Sequence, residues 1–348
     1  MQESINRSTI RDIARHLNVT ASTVSRALND HPAISAGTKS AVRNEASRIH
    51  YRHNKIASSL RLGRSRIIGV IIPSAEINFF GSVVHGIEKV ASEMDYNVLI
   101  YQSNELSDFE AKGIETFLRF RVDGVLASIS KHTTDFSHYQ EIRRRGVPLV
   151  LFDRVSSELK VPSVVIDDFL GAFIATTHLI EQGCKRIAHI AGQQHVSIFH
   201  QRLLGYKEAL KNHNLPFDEQ LICTGDVSIE SGKKCMHQLL LMQDRPDGVF
   251  AVEDFTALGA MEALKEKNIK IPDDVAVIGF ANEHFGKYIT PSLSTIDQQT
   301  IRMGEEAAGL FFQLAGQNNF YNNKIVQRML QPELIIRNSS EKVRKKIK

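Results

Sequence analysis

Two textures divide the chain. Up to about residue 60, apolar residues are sparse and recur at helical spacing: Ile13, Ala14 and Leu17 form one stripe, Val24, Ala27 and Leu28 a second, Val42, Ala46 and Ile49 a third. Thr9 stands three residues before Asp12, Thr20 three before Thr23 and Ser35 three before Thr38, so each stripe opens on a side chain able to accept from orphan amide donors. This pattern predicts three short helices whose stripes meet in one small core. From Ile67 onward, continuous apolar runs alternate with amphipathic stretches. The runs are IIGVIIP (67–73), NVLIYQS (97–103), GVLASIS (124–130) and PLVLFD (148–153), with helices expected near 80–94, 108–120 and 136–145. A second set comprises SVVID (163–167), RIAHIAG (186–192), LICTGD (221–226), GVFAVED (248–254) and VAVIGF (275–280), with helices at 169–182, 198–213, 229–243 and 256–267. The tail adds STIDQ (294–298), a helix near 299–316 and paired strands around 324–337.

Uninterrupted apolar strands between helices predict parallel sheets covered on both faces, and two such sets predict two similar lobes. A short echo agrees with duplication: Arg121-Val122-Asp123-Gly124-Val125 and Arg245-Pro246-Asp247-Gly248-Val249 each set an Asp-Gly turn before a strand.

Composition sharpens this division. The 348 residues are 42% hydrophobic, with a formal charge of +4. That figure conceals an asymmetry: residues 1–66 hold 12 Lys/Arg against 4 Asp/Glu, whereas residues 67–348 hold 31 against 35. No run of about 18 apolar residues occurs and the N-terminus carries no apolar leader core, which predicts a soluble, cytoplasmic protein. Cys184, Cys223 and Cys235 are odd in number and widely spaced. They suit a reducing compartment and suggest neither a disulfide framework nor a zinc site.

The link Leu17-Asn18-Val19-Thr20 is the tight connection of a helix-turn-helix, whose second helix enters the DNA major groove. A basic head on that motif would release counterions from phosphates, so binding should weaken steeply with salt. Val19-Thr20-Ala21-Ser22-Thr23-Val24-Ser25-Arg26 with Asn29, Ile49-His50-Tyr51, and Asn54-Lys55-Ile56-Ala57-Ser58-Ser59-Leu60-Arg61 together resemble the lac repressor (LacI) family of bacterial transcription regulators. The resemblance implies an N-terminal all-α helix-turn-helix domain followed by an α/β, periplasmic-binding-protein-like domain of two doubly wound parallel-sheet lobes. Its expected divisions are a DNA-binding domain (1–51), a hinge (52–65), a two-lobed effector-binding and dimerisation body (66–338) and a basic tail (339–348) lacking leucine heptads. Lobe 1 is expected at about 66–163 and 294–325, lobe 2 at about 164–293 and 326–338.

The family match implies that Ala21, Ser22 and Arg26 approach base edges while Thr23, Ser25 and Asn29 lie nearer the phosphates, with Thr20 also among the DNA-binding residues. Arg26 can bond guanine O6 and N7 together. In the hinge, Leu60 matches an apolar wedge into the minor groove, Ala57 the close-packed position between paired hinge helices and Asn54 its start. His53 stands where the family usually has proline, and Ser58 where arginine is common.

Ligands of doubly wound sheets bind beyond the carboxyl ends of the strands. That position alone selects 74–80, 103–104, 153–154, 167–168, 192–202, 253–254 and 280–283. The resemblance narrows the effector site to Phe80, Asp153, Asp167, Arg202, Asp254, Phe280 and Gln298, a set suited to a sugar's hydroxyls and ring face. Two departures bear on which effector is read: Ala281 replaces a common aspartate, and Glu253-Asp254 replaces the usual Asn-Asp pair.

No phosphate-cradling loop, dinucleotide fingerprint or nucleophile elbow occurs, so neither an enzyme nor a bound cofactor or metal is expected. His195 and His200 do not share a helical face and read as rim residues. The expectation is a homodimeric repressor binding a roughly palindromic operator under small-molecule control, with no membrane partner. Two alternatives stay open: a catabolite-control regulator responding to a phosphorylated partner protein, and the solute-binding protein of a transporter.

Overall fold

The structure, a computed structural model, describes residues 8–51, 64–317, 320–322 and 324–342. It divides into two compact units, Met1–Ser65 and Arg66–Lys348. Asn54, Ala57 and Leu60 lie outside the described residues, as do the ends of the chain.

The first unit consists of α1 (Ile10–His16), α2 (Ala21–Leu28) and α3 (Ala36–Arg48). Ile13, Val24, Ala27 and Val42 are fully buried at their junction, with Ala14 and Ala46 beside them. The expected capping pattern is present: the Asp12 carboxylate accepts from the Thr9 backbone N–H at 2.8 Å, Thr20 Oγ1 from Thr23 N–H at 3.1 Å and Ser35 Oγ from Thr38 N–H at 3.2 Å. The turn between α1 and α2 closes through Asn18, whose φ of 50° is left-handed, and through the Val19 N–H, which donates to Ala14 O at 3.0 Å. Across the unit, Glu45 on α3 accepts from Arg48 and from His16 at the end of α1, each at 2.6 Å.

The second unit contains two parallel sheets. The first holds β1 (Ile67–Ile72), β2 (Asn97–Gln102), β3 (Gly124–Ala127), β4 (Leu149–Phe152), β5 (Ser163–Ile166) and β11 (Gln327–Leu330), in the order β11-β5-β4-β3-β1-β2. The second holds β6 (Ile187–Ala191), β7 (Ile222–Thr224), β8 (Gly248–Ala251) and β9 (Ala276–Ile278), in the order β7-β6-β8-β9. A third, antiparallel pair joins β10 (Thr295–Asp297) to β12 (Glu333–Ile335).

Interior strands β3, β4, β5, β6 and β8 are buried at every position, which is why they read as unbroken apolar runs. Edge strands β2 and β7 keep partly exposed positions. The first sheet is flanked by α4 (Asn78–Glu93), α5 (Ser107–Phe120), α6 (Ser137–Arg144) and α11 (Thr300–Ala315). The second is flanked by α7 (Asp168–Glu181), α8 (Ser197–Asn212), α9 (Ile229–Leu240) and α10 (Asp254–Glu266). Helices α4 and α11 pack backbone to backbone: a Cβ on Gly86 would lie 2.1 Å from Ile301 O, and one on Gly304 2.0 Å from Val83 O.

The Asp-Gly echo marks a repeated device. The Asp123 carboxylate accepts from Arg66 N–H at 3.0 Å just before β1, and Asp247 accepts from Arg186 N–H at 2.9 Å just before β6. Each carboxylate therefore fixes the entry of its sheet's first strand, and both sheets share the order second, first, third, fourth strand.

Three expectations need correction. β5 pairs with β4 and belongs to the first lobe, so the chain crosses into the second lobe after Ile166 and not at 164. The strands near 324–337 do not pair with each other: β11 extends the first sheet beside β5, whereas β12 pairs with β10. The second return crossing consequently follows Leu330 instead of residue 325. Finally, Cys223 and Cys235 are joined in a disulfide, their Cα atoms 5.7 Å apart, because α9 folds back onto β7; only Cys184 is free.

Candidate functional site

On α2, Ser22, Arg26 and Asn29 are exposed on one helical face, with Ala21 and Thr23 partly so and Thr20 exposed at the cap. Asn29 also donates through Nδ2 to Ser25 O at 2.8 Å, steadying the end of the helix. Ser25 departs from its expected place among phosphate-facing residues: it is 6% exposed, on the side packed against the unit's core.

In the second unit, the carboxyl ends of both sheets face one another across the chain crossings. Arg202, in the second turn of α8, is the hub of the second lobe and is only 2% exposed. Its Nε donates to Asp168 Oδ1 at 2.8 Å, its Nη1 to Val252 O at 2.7 Å and its Nη2 to Gln298 Oε1 at 3.4 Å. The guanidinium carbon lies 3.7 Å from the centroid of the Phe280 ring, a stacked cation–π contact. Arg202, Phe280 and Gln298 are thus brought together as the sequence suggested. Their acidic partner is Asp168, while the neighbouring Asp167 caps α7, its Oδ1 accepting from Leu170 N–H at 2.9 Å.

From the first lobe come Phe80, Asp153 and Arg154. Phe80 is buried at the start of α4, with the Arg154 guanidinium 5.8 Å from its ring centroid. Asp153 follows β4 with a left-handed φ of 59° and accepts from Ser128 Oγ at 3.2 Å. Arg154 donates twice to Glu105, at 2.8 and 2.9 Å, while its buried Nε makes no hydrogen bond and lies 3.9 Å from Asp153 Oδ2. A cavity of about 180 Å³ opens beside Asp153, lined also by Asp167 and Asp168 together with Ser197, Gln201 and Gln327. At the rims the lobes touch: Phe79 N–H donates to Glu283 Oε1 at 3.1 Å, His195 Nε2 lies 2.8 Å from Lys131 O, and Lys131 Nζ donates to Asp226 O at 3.1 Å.

Asp254 proves to be a brace. Buried at the start of α10, it accepts from Thr295 Oγ1 and from Glu283 N–H, both at 2.7 Å, tying α10 to the strands behind it. Asn282 is likewise engaged, with Asp297 and Arg337 at 2.6 Å each. Position alone pointed to Asp168, Arg154 and Glu253, but the narrower set omitted them.

Burial raises the carboxyls of Asp153 and Asp168 despite the neighbouring arginines, and pushes Asp254 up to about 7 and Glu253 up to about 8. These folded values exceed the unfolded ones, so the folded state holds protons that the unfolded chain releases. The associated stability is complete below about pH 4 and is lost as pH rises through 7 to 8. Denaturation of the wild type should therefore show stability falling between about pH 4.5 and 8, with Glu253 among the groups responsible. Glu253→Gln should flatten that fall; an unchanged slope would show that Glu253 does not titrate there.

Comparison with known proteins agrees with both units. Residues 9–54 match the family model for bacterial regulatory proteins of the lacI family, and residues 176–340 match that of a periplasmic binding protein-like domain. The chain is 35% identical over 334 residues to the HTH-type transcriptional repressor CytR of Escherichia coli (strain K12), covering 96% of each protein. Among solved structures, a transcriptional regulator CelR-cellobiose complex is 29% identical with a TM-score of 0.72, covering 96% of this chain and 100% of that one. A lac repressor dimer bound to operator and an anti-inducer, 23% identical with a TM-score of 0.84, covers 96% of this chain and 99% of that one and shares its fold. No helix among the described residues is long and apolar enough to cross a membrane. With a capped helix-turn-helix in front of a two-lobed, strand-end cleft, the chain belongs to the lacI family of bacterial regulatory proteins and is a DNA-binding transcription regulator with an effector-binding domain.

Proposed function

We propose that this protein is a homodimeric repressor acting in the cytoplasm on a roughly palindromic operator, released or recruited by a sugar-like effector seated between its lobes. The observation that carries the effector reading is Arg202, stacked on Phe280 and paired with Asp168 where the strands of one lobe end opposite Phe80, Asp153 and Arg154 of the other. An aromatic face next to fixed donors and acceptors is the equipment for a polyhydroxylated ring. The cellobiose bound by the similar CelR regulator is consistent with that class. In the dimer, Leu60 of each hinge inserts between base steps and Ala57 allows the two hinge helices to approach. Ala21, Ser22 and Arg26 read base edges, with Thr20, Thr23, Asn29 and the hinge's Asn54 holding backbone phosphates. An effector that changes the angle between the lobes changes the spacing at which the hinges meet.

A thermal-shift screen of the full-length protein against sugars and their phosphates tests the cleft, since a ligand that binds only the folded state raises the melting temperature. Absence of any shift across the panel would count against a sugar-like effector. On the DNA side, Arg26→Ala should relax discrimination at one base pair by about 1–3 kcal/mol in competition binding. Unaltered preference at every position would remove Arg26 from base reading.

A further inference from the structure

We propose that the edge of the first sheet at which its strands begin is a second DNA-contacting surface, whose basic side chains meet backbone phosphates when the operator is bound. The inference rests on the reading above that the hinge, which ends where this sheet begins, lies on the duplex.

The strands of a parallel sheet all start at one edge, and here the entry loops are stitched side by side. Arg66 N–H donates to Asp123 at 3.0 Å, linking the entry of β1 to that of β3. Arg143 Nη1 donates to Leu159 O at 2.9 Å and Tyr321 OH to Val147 O at 2.5 Å, linking the entries of β5 and β11 to that of β4. From β1 to β11 the edge crosses four strand steps of about 4.8 Å, or about 19 Å, the length of about five or six base pairs.

Within this unit, the five residues before each strand of the first sheet hold seven Lys/Arg against four Asp/Glu; before the strands of the second sheet there are three against six. The two sheets share one strand order, so the basic excess belongs to this edge and not to the architecture. Asp95 and Asp123 are engaged by Arg66, and Glu141 holds Arg144 and Arg145 at 2.8 Å each. Arg119, Arg121, Lys160 and Lys324 are exposed and form no ion pair among the described residues.

Backbone conformation is an independent sign. Among the described residues, the Lys and Arg with a left-handed φ are Arg66 at 56°, Arg121 at 53° and Lys160 at 48°, and all three lie on this edge. Gly, Asn and Asp enter that region at least cost, so local structure alone favours none of these cations. What their charged heads meet accounts for them. The hinge runs directly into Arg66, so a duplex held by the hinge is tethered to this edge and not to the opposite one, where the cleft opens. A duplex carries one negative charge per about 1.7 Å of its axis, the complement of such a row.

The test compares full-length wild type with Arg119→Gln/Arg121→Asn/Lys160→Asn on an operator duplex selected from a random pool and on a non-operator duplex. Asn suits the left-handed positions, so the triple variant should melt no lower than wild type. Its affinity for both duplexes at about 0.15 M salt should fall roughly ten- to a hundredfold, and the slope of log affinity against log salt should become shallower by about 2 or more. The ratio between the duplexes should hold, because phosphates carry no sequence. Arg119→Gln/Lys324→Gln, which touches no left-handed position, should show the same loss on a smaller scale. Lys211→Gln/Lys234→Gln, which removes exposed cations from the second lobe, should leave affinity and slope as they are. Unchanged affinity in the triple variant, a loss without a change of slope, or a comparable loss in the second-lobe variant would each overturn the proposal, the first leaving the edge to an acidic protein partner. Leu60→Ala, measured alongside, separates the two readings: unchanged operator affinity there sinks the hinge reading, whereas the edge variants alone decide the edge.

Discussion

Replacing Arg202 with alanine is expected to destabilise the effector-binding domain by about 3–5 kcal/mol as well as abolishing the effector response. The residue resembles a ligand contact in sequence, but it is among the most deeply buried side chains of the protein. Alanine would strand the Asp168 carboxylate in a buried site without its counter-charge, leave Val252 O without its donor and remove the cation from the Phe280 face. Chemical denaturation of the variant reads the cost directly. Arg202→Ala combined with Asp168→Ala should recover part of the loss, because no unpaired charge then remains buried. Unaltered stability in the single variant would mean that the guanidinium is not the keystone of this cleft.

Leu60→Ala is the second large effect, expected on DNA and not on the fold. An apolar wedge unstacks a base step and bends the duplex, exchanging a few kcal/mol for added contacts. Without it, specific operator affinity should fall on the order of a hundredfold. Leu60 carries no charge, so the slope of log affinity against log salt should stay as in the wild type, unlike the shallower slope expected when a phosphate-bound cation is removed. Effector affinity measured without DNA should not move, since the body from Arg66 onward is a compact unit of its own. Unchanged operator affinity would remove the wedge.

Much of this was legible in the sequence because local rules governed it. The caps at Thr9, Thr20 and Ser35 and the buried runs of β1, β3, β4, β6 and β8 follow from hydrogen bonding and burial within a few residues. What escaped was set at long range. Periodicity identifies β5 and β11 as strands but cannot say which sheet adopts them, and the lobe boundaries shifted accordingly. Asp167 and Asp168 are adjacent and chemically alike; only the helix start decides that the first caps and the second faces Arg202. Asp254 gave no sign that Thr295 would occupy it, and nothing in a twelve-residue separation announced that Cys223 and Cys235 would meet.

The central claim is that the cleft and the DNA-reading helices are thermodynamically coupled. The most direct test titrates full-length protein with a duplex selected from a random pool, with and without a ligand that raises the melting temperature, and then titrates that ligand with and without the duplex. Coupling is reciprocal, so both affinities should change by one common factor, about 5–150-fold. A ligand lost on Phe280→Ala, yet bound equally well by free protein and by protein saturated with duplex, would contradict it.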